Sequence, residues 1–275
     1  MSESQAPPNK VPFRAAVAML VVHLAVVLFS LTGTGLRAVM PEAAPDWDYE
    51  ALATHLARAN IASGGLCAFL LVAAVWGWGR AAALLGGCIV VAGGTEYLST
   101  LTGYPFGEYE YTERLGPRFL GRVPYLIPMA WLMVLGPGLL MARHAGLGRL
   151  QSCLLAGAIV TLWDVVLDPI MSGELAAWRW SGDSIYYGIP LINYPAWFVV
   201  GSLSSAPAVL GRQPRTPGRR AFAVAAILVA TQNLFAGLMA AHHQKHLAVV
   251  VWALGGLALL VYLEAATRST SPTRP

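Results

Sequence analysis

The chain contains eight apolar stretches, and this feature constrains its fold more than any other. A helix needs about 20 apolar residues to cross the ~30 Å hydrocarbon core of a bilayer, and its backbone hydrogen bonds are then satisfied internally. The stretches run over residues 13–32, 61–79, 81–101, 124–142, 149–171, 189–210, 220–240 and 247–265. The sequence therefore predicts an all-α integral membrane protein, a polytopic bundle of about eight transmembrane helices forming a single domain over residues 1–275.

The low charge of the chain excludes the soluble classes. Charged residues make up 12% of the sequence and hydrophobic residues 56%, whereas a soluble domain carries about 25% charged residues. A soluble enzyme, a disordered protein and a nucleic-acid binder are therefore excluded. The first stretch follows Lys10 and Arg14. We expect it to be retained as a helix, because no small-x-small cleavage site follows it.

The distribution of charges predicts the orientation in the membrane. Eleven of the 18 lysines and arginines fall on the side shared by the two termini, and seven fall on the other side. The positive-inside rule then places both termini in the cytoplasm of a cell-membrane protein. All acids except Glu3 and Glu264 fall on the opposite side or near that end of a helix. We therefore expect the chemistry at that end.

Two segments lie outside the predicted helices. The basic linker 211–220 is rich in proline and arginine. It is interpreted as a topogenic charge cluster, with binding of lipid headgroups as the alternative. The polar tail 267–275 is predicted to be disordered.

A weak internal repeat connects two parts of the sequence. Residues 123–131 resemble residues 189–197 at an offset of 66, and each segment follows an acid-bearing helix and a Gly/Tyr-rich loop. Helices three–four and five–six are therefore interpreted as two related hairpins that face the same way, with chance similarity of proline-rich helix starts as the alternative.

Three acids lie within predicted spans, where an ionisable residue is expensive and is usually functional. They are Glu96 in helix three and Asp164 and Asp168 in helix five. The aspartates are four residues apart, so they share a helical face, with Thr161 on the same stripe. Because all three acids lie near the same end of their helices, they are predicted to converge on one pocket. The alternative is structural bonding to one another or to Arg114 and Arg118.

The loops beside these acids combine aromatic residues with glycine, proline and further acids. Loop three–four runs from Thr102 to Tyr111, and loop five–six contains Trp178, Trp180 and Tyr186. An interfacial aromatic belt is the simplest explanation of the aromatic residues. However, a belt needs no Gly/Pro framework, whereas irregular backbone at membrane depth must line protein or water. The loops are therefore predicted to line a cavity.

The histidine cluster at the seven–eight loop is the nearest approach to a metal-binding pattern. His242, His243 and His246 flank Lys245, with no acid nearby in the sequence. We therefore interpret them as solvated loop histidines, and we predict no metal site.

The acids and loops together resemble a known family, the membrane carotenoid biosynthesis proteins that include the carotenoid 1′,2′-hydratases. The resemblance covers about residues 85–200. It rests on Thr95-Glu96-Tyr97, the segment 102–111, Leu115-Gly116, Trp163-Asp164 through Asp168-Pro169, Trp178-Arg179-Trp180, the segment 186–190, and Asn193 through Trp197. It implies a hydratase that adds water across the terminal 1′,2′ double bond of γ-carotene, lycopene or a bacterioruberin precursor, without a cofactor.

Residue chemistry agrees with that reaction, which needs an acid, a stabilised tertiary carbocation and a directed water. An Asp164/Asp168 pair sharing one proton is the predicted acid, and Glu96 is predicted to hold or deprotonate the water. The indole faces of the tryptophans are expected to stabilise the cation. The predicted substrate-binding residues are Tyr97, Tyr104, Phe106, Tyr109, Tyr111, Trp131, Trp163, Trp178, Trp180, Tyr186, Tyr187, Asn193 and Trp197.

Two other functional classes remain open from the sequence. Acids four apart with arginines nearby are compatible with a Mg²⁺-dependent intramembrane prenyl transferase, although such enzymes usually carry two aspartate-rich clusters. Intramembrane acids also occur in carriers and channels, where they relay protons or bind a solute.

Overall fold

Among the residues that the structure describes, eight helical segments form the bundle, and each corresponds to one predicted span. The computed structural model describes residues 8–40, 42 and 48–270, the last five by their backbone alone. The helices are α1 (Lys10–Val39), α2 (Tyr49–Trp76), α3 (Trp78–Gly87) continued through a π-helical segment (Cys88–Gly93) into α4 (Gly94–Thr102), α5 (Ile127–His144), α6 (Arg149–Pro169) continued by a π-helical turn (Ile170–Glu174), α7 (Asn193–Val209), α8 (Arg219–His242) and α9 (His246–Thr270).

Six of these segments within the described chain are long and apolar enough to cross a membrane: α1, α2, α3–α4, α6, α8 and α9. The other two are shorter, with 18 residues in α5 and 17 in α7. Helix α5 is buried along most of its length between α2, α6 and α8. The fold class is confirmed as an all-α polytopic membrane protein, with α5 and α7 as its shorter helices.

Several predicted boundaries are wrong. Helix α1 ends at Val39 rather than at residue 32. Helix α2 begins at Tyr49 rather than at residue 61, because Asp48 caps it by accepting a hydrogen bond from the Ala51 N–H at 2.9 Å. The turn between α2 and α3 lies at Gly77, and Gly79 and Arg80 are helical. Gly77 has φ = 92°, a conformation that glycine adopts without steric cost.

The loops 103–126 and 175–192 meet at the same end of the bundle, as the sequence predicts, and this end is called the capped end below. Strand β1 (Tyr109–Tyr111) and the Trp178–Trp180 strand pair antiparallel, with Tyr109 opposite Trp180 and Tyr111 opposite Trp178. Because alternate strand residues face opposite sides, the aromatic residues turn inward. Glu110 and Arg179 are exposed on the other face and form an ion pair at 3.9 Å.

Two further short strands complete the cap. Strands β2 (Arg118–Phe119) and β3 (Val123–Pro124) pair with each other just before α5. The strand Trp178–Trp180 is the fourth in chain order and is called β4 below. The two similar segments, 123–131 and 189–197, lead into α5 and α7. Their equivalent residues Trp131 and Trp197 stack with ring centroids 4.1 Å apart.

The opposite end of the bundle carries the basic linker. The Arg80 guanidinium donates to the Ala208 carbonyl at 2.6 Å, and the Trp76 indole donates to the Arg215 carbonyl at 2.9 Å. Residues 267–270, predicted as the start of a disordered tail, have helical backbone within α9, and residues 271–275 lie outside the described chain.

Candidate active site

The three predicted carboxyl residues line one cavity of about 1090 Å³ at the capped end. Glu96 is 3% exposed, Asp164 0% and Asp168 1%. Their convergence agrees with the sequence prediction, whereas their catalytic roles stay predictions. Both acid-bearing helices contain a π-helical segment close to the acids, one just before Glu96 and one just after Asp168. Such segments are frequent at functional sites.

A single amide group joins the two aspartates. The Asn193 side chain, at the start of α7, donates from Nδ2 to Asp164 Oδ2 at 2.9 Å and to Asp168 Oδ2 at 3.2 Å. Asn193 itself is almost fully buried. It lines the cavity, as its predicted substrate-binding role requires. Its observed hydrogen bonds, however, hold the two carboxyl groups together.

Strand β4 supplies the remaining partners of Asp168. The Trp178 and Trp180 indoles donate from Nε1 to Asp168 Oδ1 at 2.7 and 3.1 Å. From the sequence, the faces of these indole rings are expected to contact a cation. The structure shows that their N–H edges are directed at a carboxylate, because alternation along β4 puts both indoles on one side.

Glu96 is held by a different set of donors. The Tyr109 hydroxyl donates to Glu96 Oε2, the Tyr111 hydroxyl donates to the same oxygen at 3.0 Å, and Trp131 Nε1 donates to Oε1 at 3.2 Å. Burial, followed by the charge of Glu96, raises the pKa of both tyrosines well above the usual tyrosine value. Both hydroxyls therefore stay protonated and remain donors.

Asp164 differs from the other two acids in its hydrogen bonding. Asp168 and Glu96 each accept three hydrogen bonds from side chains, whereas Asp164 accepts one, and its Oδ1 has no partner among the described residues. Asn193 Oδ1 and Trp163 Nε1 are also buried without a partner there. Because buried polar atoms are rarely left unpaired, this cluster marks a position suited to a polar ligand or a reacting group.

Aromatic rings form the inner wall of the cavity. Trp197 stacks on Trp131 and lies 6.3 Å from Phe106 between ring centroids. Trp131 and Phe106 are almost completely buried. The cavity therefore combines three carboxyl groups with a largely apolar, aromatic wall.

Four predicted substrate-binding residues do not line this cavity. Tyr104 is exposed, and Tyr97 packs edge-on against Phe119 at 6.0 Å. The Tyr186 hydroxyl donates to the Val165 carbonyl at 2.8 Å. Lys245 lies 5.4 Å from the Tyr187 ring centroid. Three of these tyrosines contact other parts of the protein and Tyr104 faces outward, and the sequence pattern does not separate them from the lining residues.

The predicted charge partners bond to residues other than the three acids. Arg114 pairs with Glu50 on α2, and Arg118 donates to the Tyr111 carbonyl at 2.7 Å. The Thr161 hydroxyl donates to the Gly157 carbonyl of its own helix at 2.8 Å. Within the described chain, none of the three carboxyl residues forms an ion pair, so structural bonding of the acids to Arg114 or Arg118 is not observed.

Several residues of the site were missed in the sequence. Helices α1, α2 and α8 line much of the cavity, including Asn60 on α2 and Gln232 on α8. Gln232 hydrogen-bonds His23 at 2.7 Å, and the other nitrogen of His23 lies 3.0 Å from the Ser63 hydroxyl. The signal was available, since polar residues in apolar helices usually face the protein interior.

The histidine cluster has an acidic neighbour that the sequence analysis did not foresee. Glu174, from the π-helical turn after α6, lies 3.6 Å from His243 and 3.3 Å from Lys245. Burial lowers the pKa of His243, while Glu174 opposes that shift. These residues therefore form an ion-pair cluster that joins α8 to the turn.

Comparison with known proteins identifies the family. A family model described as carotenoid biosynthesis protein matches residues 58–261, which is most of the chain. The chain belongs to the carotenoid biosynthesis protein family. The match includes every residue that contacts the three carboxyl groups, and it extends beyond the 85–200 region into α2, α8 and α9.

One curated relative is the bisanhydrobacterioruberin hydratase of Haloarcula japonica, which is 38% identical over 122 residues. The match covers 40% of this chain and 39% of the relative, so the matched part spans well under half of that protein. No solved structure matches the chain.

Proposed function

We propose that this chain is a carotenoid hydratase, a hydro-lyase that adds water across the terminal 1′,2′ double bond of an acyclic carotenoid end group. The observation that carries the proposal is the Oδ1 of Asp164, which has no partner among the described residues, beside Asp168, which accepts three hydrogen bonds, in an aromatic cavity of a carotenoid biosynthesis protein. The curated relative, a hydratase by name, supports the same reaction class.

Asp164 is the acid in this proposal. A carboxylate that accepts several hydrogen bonds is stabilised in its charged form, and Asp168 and Glu96 each accept three. Asp164 accepts one, so of the three acids it is the one best suited to keep a proton. The proton leaves Asp164 Oδ1 for carbon 2′, and the π electrons of the double bond form the new C–H bond.

The resulting positive charge lies on the tertiary carbon 1′. Asp168, whose negative charge is held in place by two indole N–H groups and Asn193, stabilises this cation electrostatically. Trp197 and Trp131 line the same cavity, and a ring face attracts a cation by about 0.5–2 kcal/mol.

Glu96 directs the water. A carboxylate has about four acceptor positions, and Glu96 uses three, two of them on Oε2. Its Oε1 therefore retains a position that accepts a proton from water while the water oxygen bonds to carbon 1′. Return of that proton from Glu96 to Asp164, by exchange through water, restores both carboxyl groups. The sum is alkene plus water giving a tertiary alcohol, with no net oxidation or reduction and hence no need for a redox cofactor.

The substrate class follows from the family and the apolar cavity. Lycopene, γ-carotene and a bacterioruberin precursor all present a terminal trisubstituted alkene on an apolar chain. The enzyme acts in the cell membrane with both termini in the cytoplasm, as the excess of lysine and arginine on the terminal side favours. The capped end then faces away from the cytoplasm.

Expression in bacteria that make lycopene or γ-carotene tests the proposal, with an empty vector as the control. Mass spectrometry of extracted pigments should show the mass of one water added for each hydrated end group. Unchanged pigments in membranes that contain the folded protein contradict it. A product that appears only with Mg²⁺ and an allylic pyrophosphate would instead indicate a prenyl transferase.

A further inference from the structure

We infer that the halves of α1 and α8 nearest the capped end form a lateral cleft, through which the apolar chain of a carotenoid extends from the cavity into the bilayer. This inference rests on the proposed function and adds a binding site for the part of the substrate that does not react.

The cleft begins just beyond a hydrogen bond between α1 and α8. His23 on α1 and Gln232 on α8 are hydrogen-bonded at 2.7 Å, which fixes the two helices together at that level. Beyond this bond, towards the capped end, residues of both helices line the cavity. Phe29 and Gly33 do so on α1, and Phe235 on α8. Helix α1 packs mainly against α2 and only sparsely against α8.

Exposure identifies this side as the open one. Phe29 lines the cavity and is nevertheless 45% exposed, and Phe235 and Met239 on the facing helix are partly exposed. The opposite wall, formed by Trp131 and Phe106, is almost completely buried. The cavity is therefore closed behind the carboxyl groups and accessible between α1 and α8.

The charged residues at the capped end make that end of the cavity an unfavourable exit for an apolar chain. At the capped end the cavity is bordered by charged residues, among them Arg37, the Arg114–Glu50 pair and Glu174, which pairs with Lys245. An apolar polyene gains by leaving water and gains nothing from charged groups that must stay hydrated. A conjugated chain is also too stiff to fold inside the cavity. The side between α1 and α8, lined by Phe29, Gly33 and Phe235, is the apolar route.

Two glycines on α1 allow a matched test. A Cβ atom added at Gly33 or at Gly35 would meet no atom within 4 Å, so a side chain can start at either position without a clash at its first atom. Gly33 lines the cavity, whereas Gly35 is not among the lining residues. Gly33→Phe should narrow the cleft, and Gly35→Phe should add the same side chain outside it.

The experiment measures lycopene retained by affinity-purified protein, read from its visible absorption, together with hydration in the producing strain. Gly33→Phe should lower both by roughly tenfold or more relative to wild type, with an unchanged melting temperature, whereas Gly35→Phe should match wild type. If Gly33→Phe lowers the melting temperature, Met239→Trp is used instead, because it narrows the same cleft from α8. It should lower lycopene retention and hydration in the same way.

Wild-type retention and turnover in both cleft variants would overturn the inference. Retention is independent of the reaction. If wild-type protein binds lycopene, Gly33→Phe loses it and no strain shows hydration, the cleft is supported and the hydratase proposal fails. If both cleft variants hydrate and retain lycopene normally, the hydratase proposal is supported and the cleft inference fails.

Discussion

Glu96 and Asp164 are both buried carboxyl residues on one cavity, yet their surroundings differ. Three donors from β1 and α5 surround Glu96. Asp164 shares one amide with Asp168 and has an oxygen without a partner. Burial alone therefore does not assign a role to a carboxyl group, since all three acids are almost equally buried. The number of donors separates groups suited to a negative charge from the group suited to carry a proton.

The largest expected effect comes from removing the proton of Asp164. Asp164→Asn preserves shape and burial but cannot protonate an alkene, so turnover should fall by about 10²–10⁴-fold while the protein still inserts and folds. Turnover per folded molecule is measured by pigment mass spectrometry. Asp183→Asn, at an exposed loop position, is the matched control and should retain full activity. Near wild-type hydration by Asp164→Asn would show that the donor is elsewhere.

Glu96→Gln tests the other side of the comparison. If Glu96 accepts the proton of water, turnover should fall by roughly 10²-fold. Retention of carotenoid should change little, because an apolar polyene gains its affinity from buried area. Glu110→Gln, on the outward face of β1, serves as the control. A destabilised Glu96→Gln protein with normal turnover per folded molecule would make Glu96 a structural residue only.

Asn193→Ala removes the donor that the two aspartates share, so it should weaken the positioning of both carboxyl groups and lower turnover. Hydrogen bonds to charged groups contribute about 1.5–3 kcal/mol, which corresponds to roughly 10–100-fold in turnover. Because Asn193 acts through the carboxyl groups, the pH profile of turnover should also move. A loss of stability with an unchanged pH profile would argue against this positioning role.

Tyr111→Phe is the mildest test. It removes one of three donors to Glu96 and keeps the ring that packs on Trp178 at 5.8 Å. With Tyr109 and Trp131 still in place, we expect about 1 kcal/mol of lost stability and less than a tenfold loss of turnover. Thermal unfolding and pigment conversion measure the two effects. A loss as large as that of Glu96→Gln would mean that Tyr111 itself contacts the reacting atoms.

Local patterns in the sequence were sufficient to predict part of the site. The four-residue spacing of Asp164 and Asp168 predicted a shared face, and both residues lie on the same cavity. The alternation in Tyr109-Glu110-Tyr111 and Trp178-Arg179-Trp180 was also readable as two strands with aromatic residues on one face. These two strands were not predicted, because an alternation over only three residues is a weak signal of a strand.

The sequence alone determined the all-α membrane fold, the eight helical segments and the end at which the acids gather. These properties depend on apolar length and on spacing along one helix. Only the tertiary structure decided that Asn193 joins the aspartates, that the indole edges contact Asp168, and that Asp164 Oδ1 has no partner among the described residues. The physical reason is that hydrogen-bond partners more than a few turns apart are chosen by packing between helices and by pairing between loops, which local pattern does not encode.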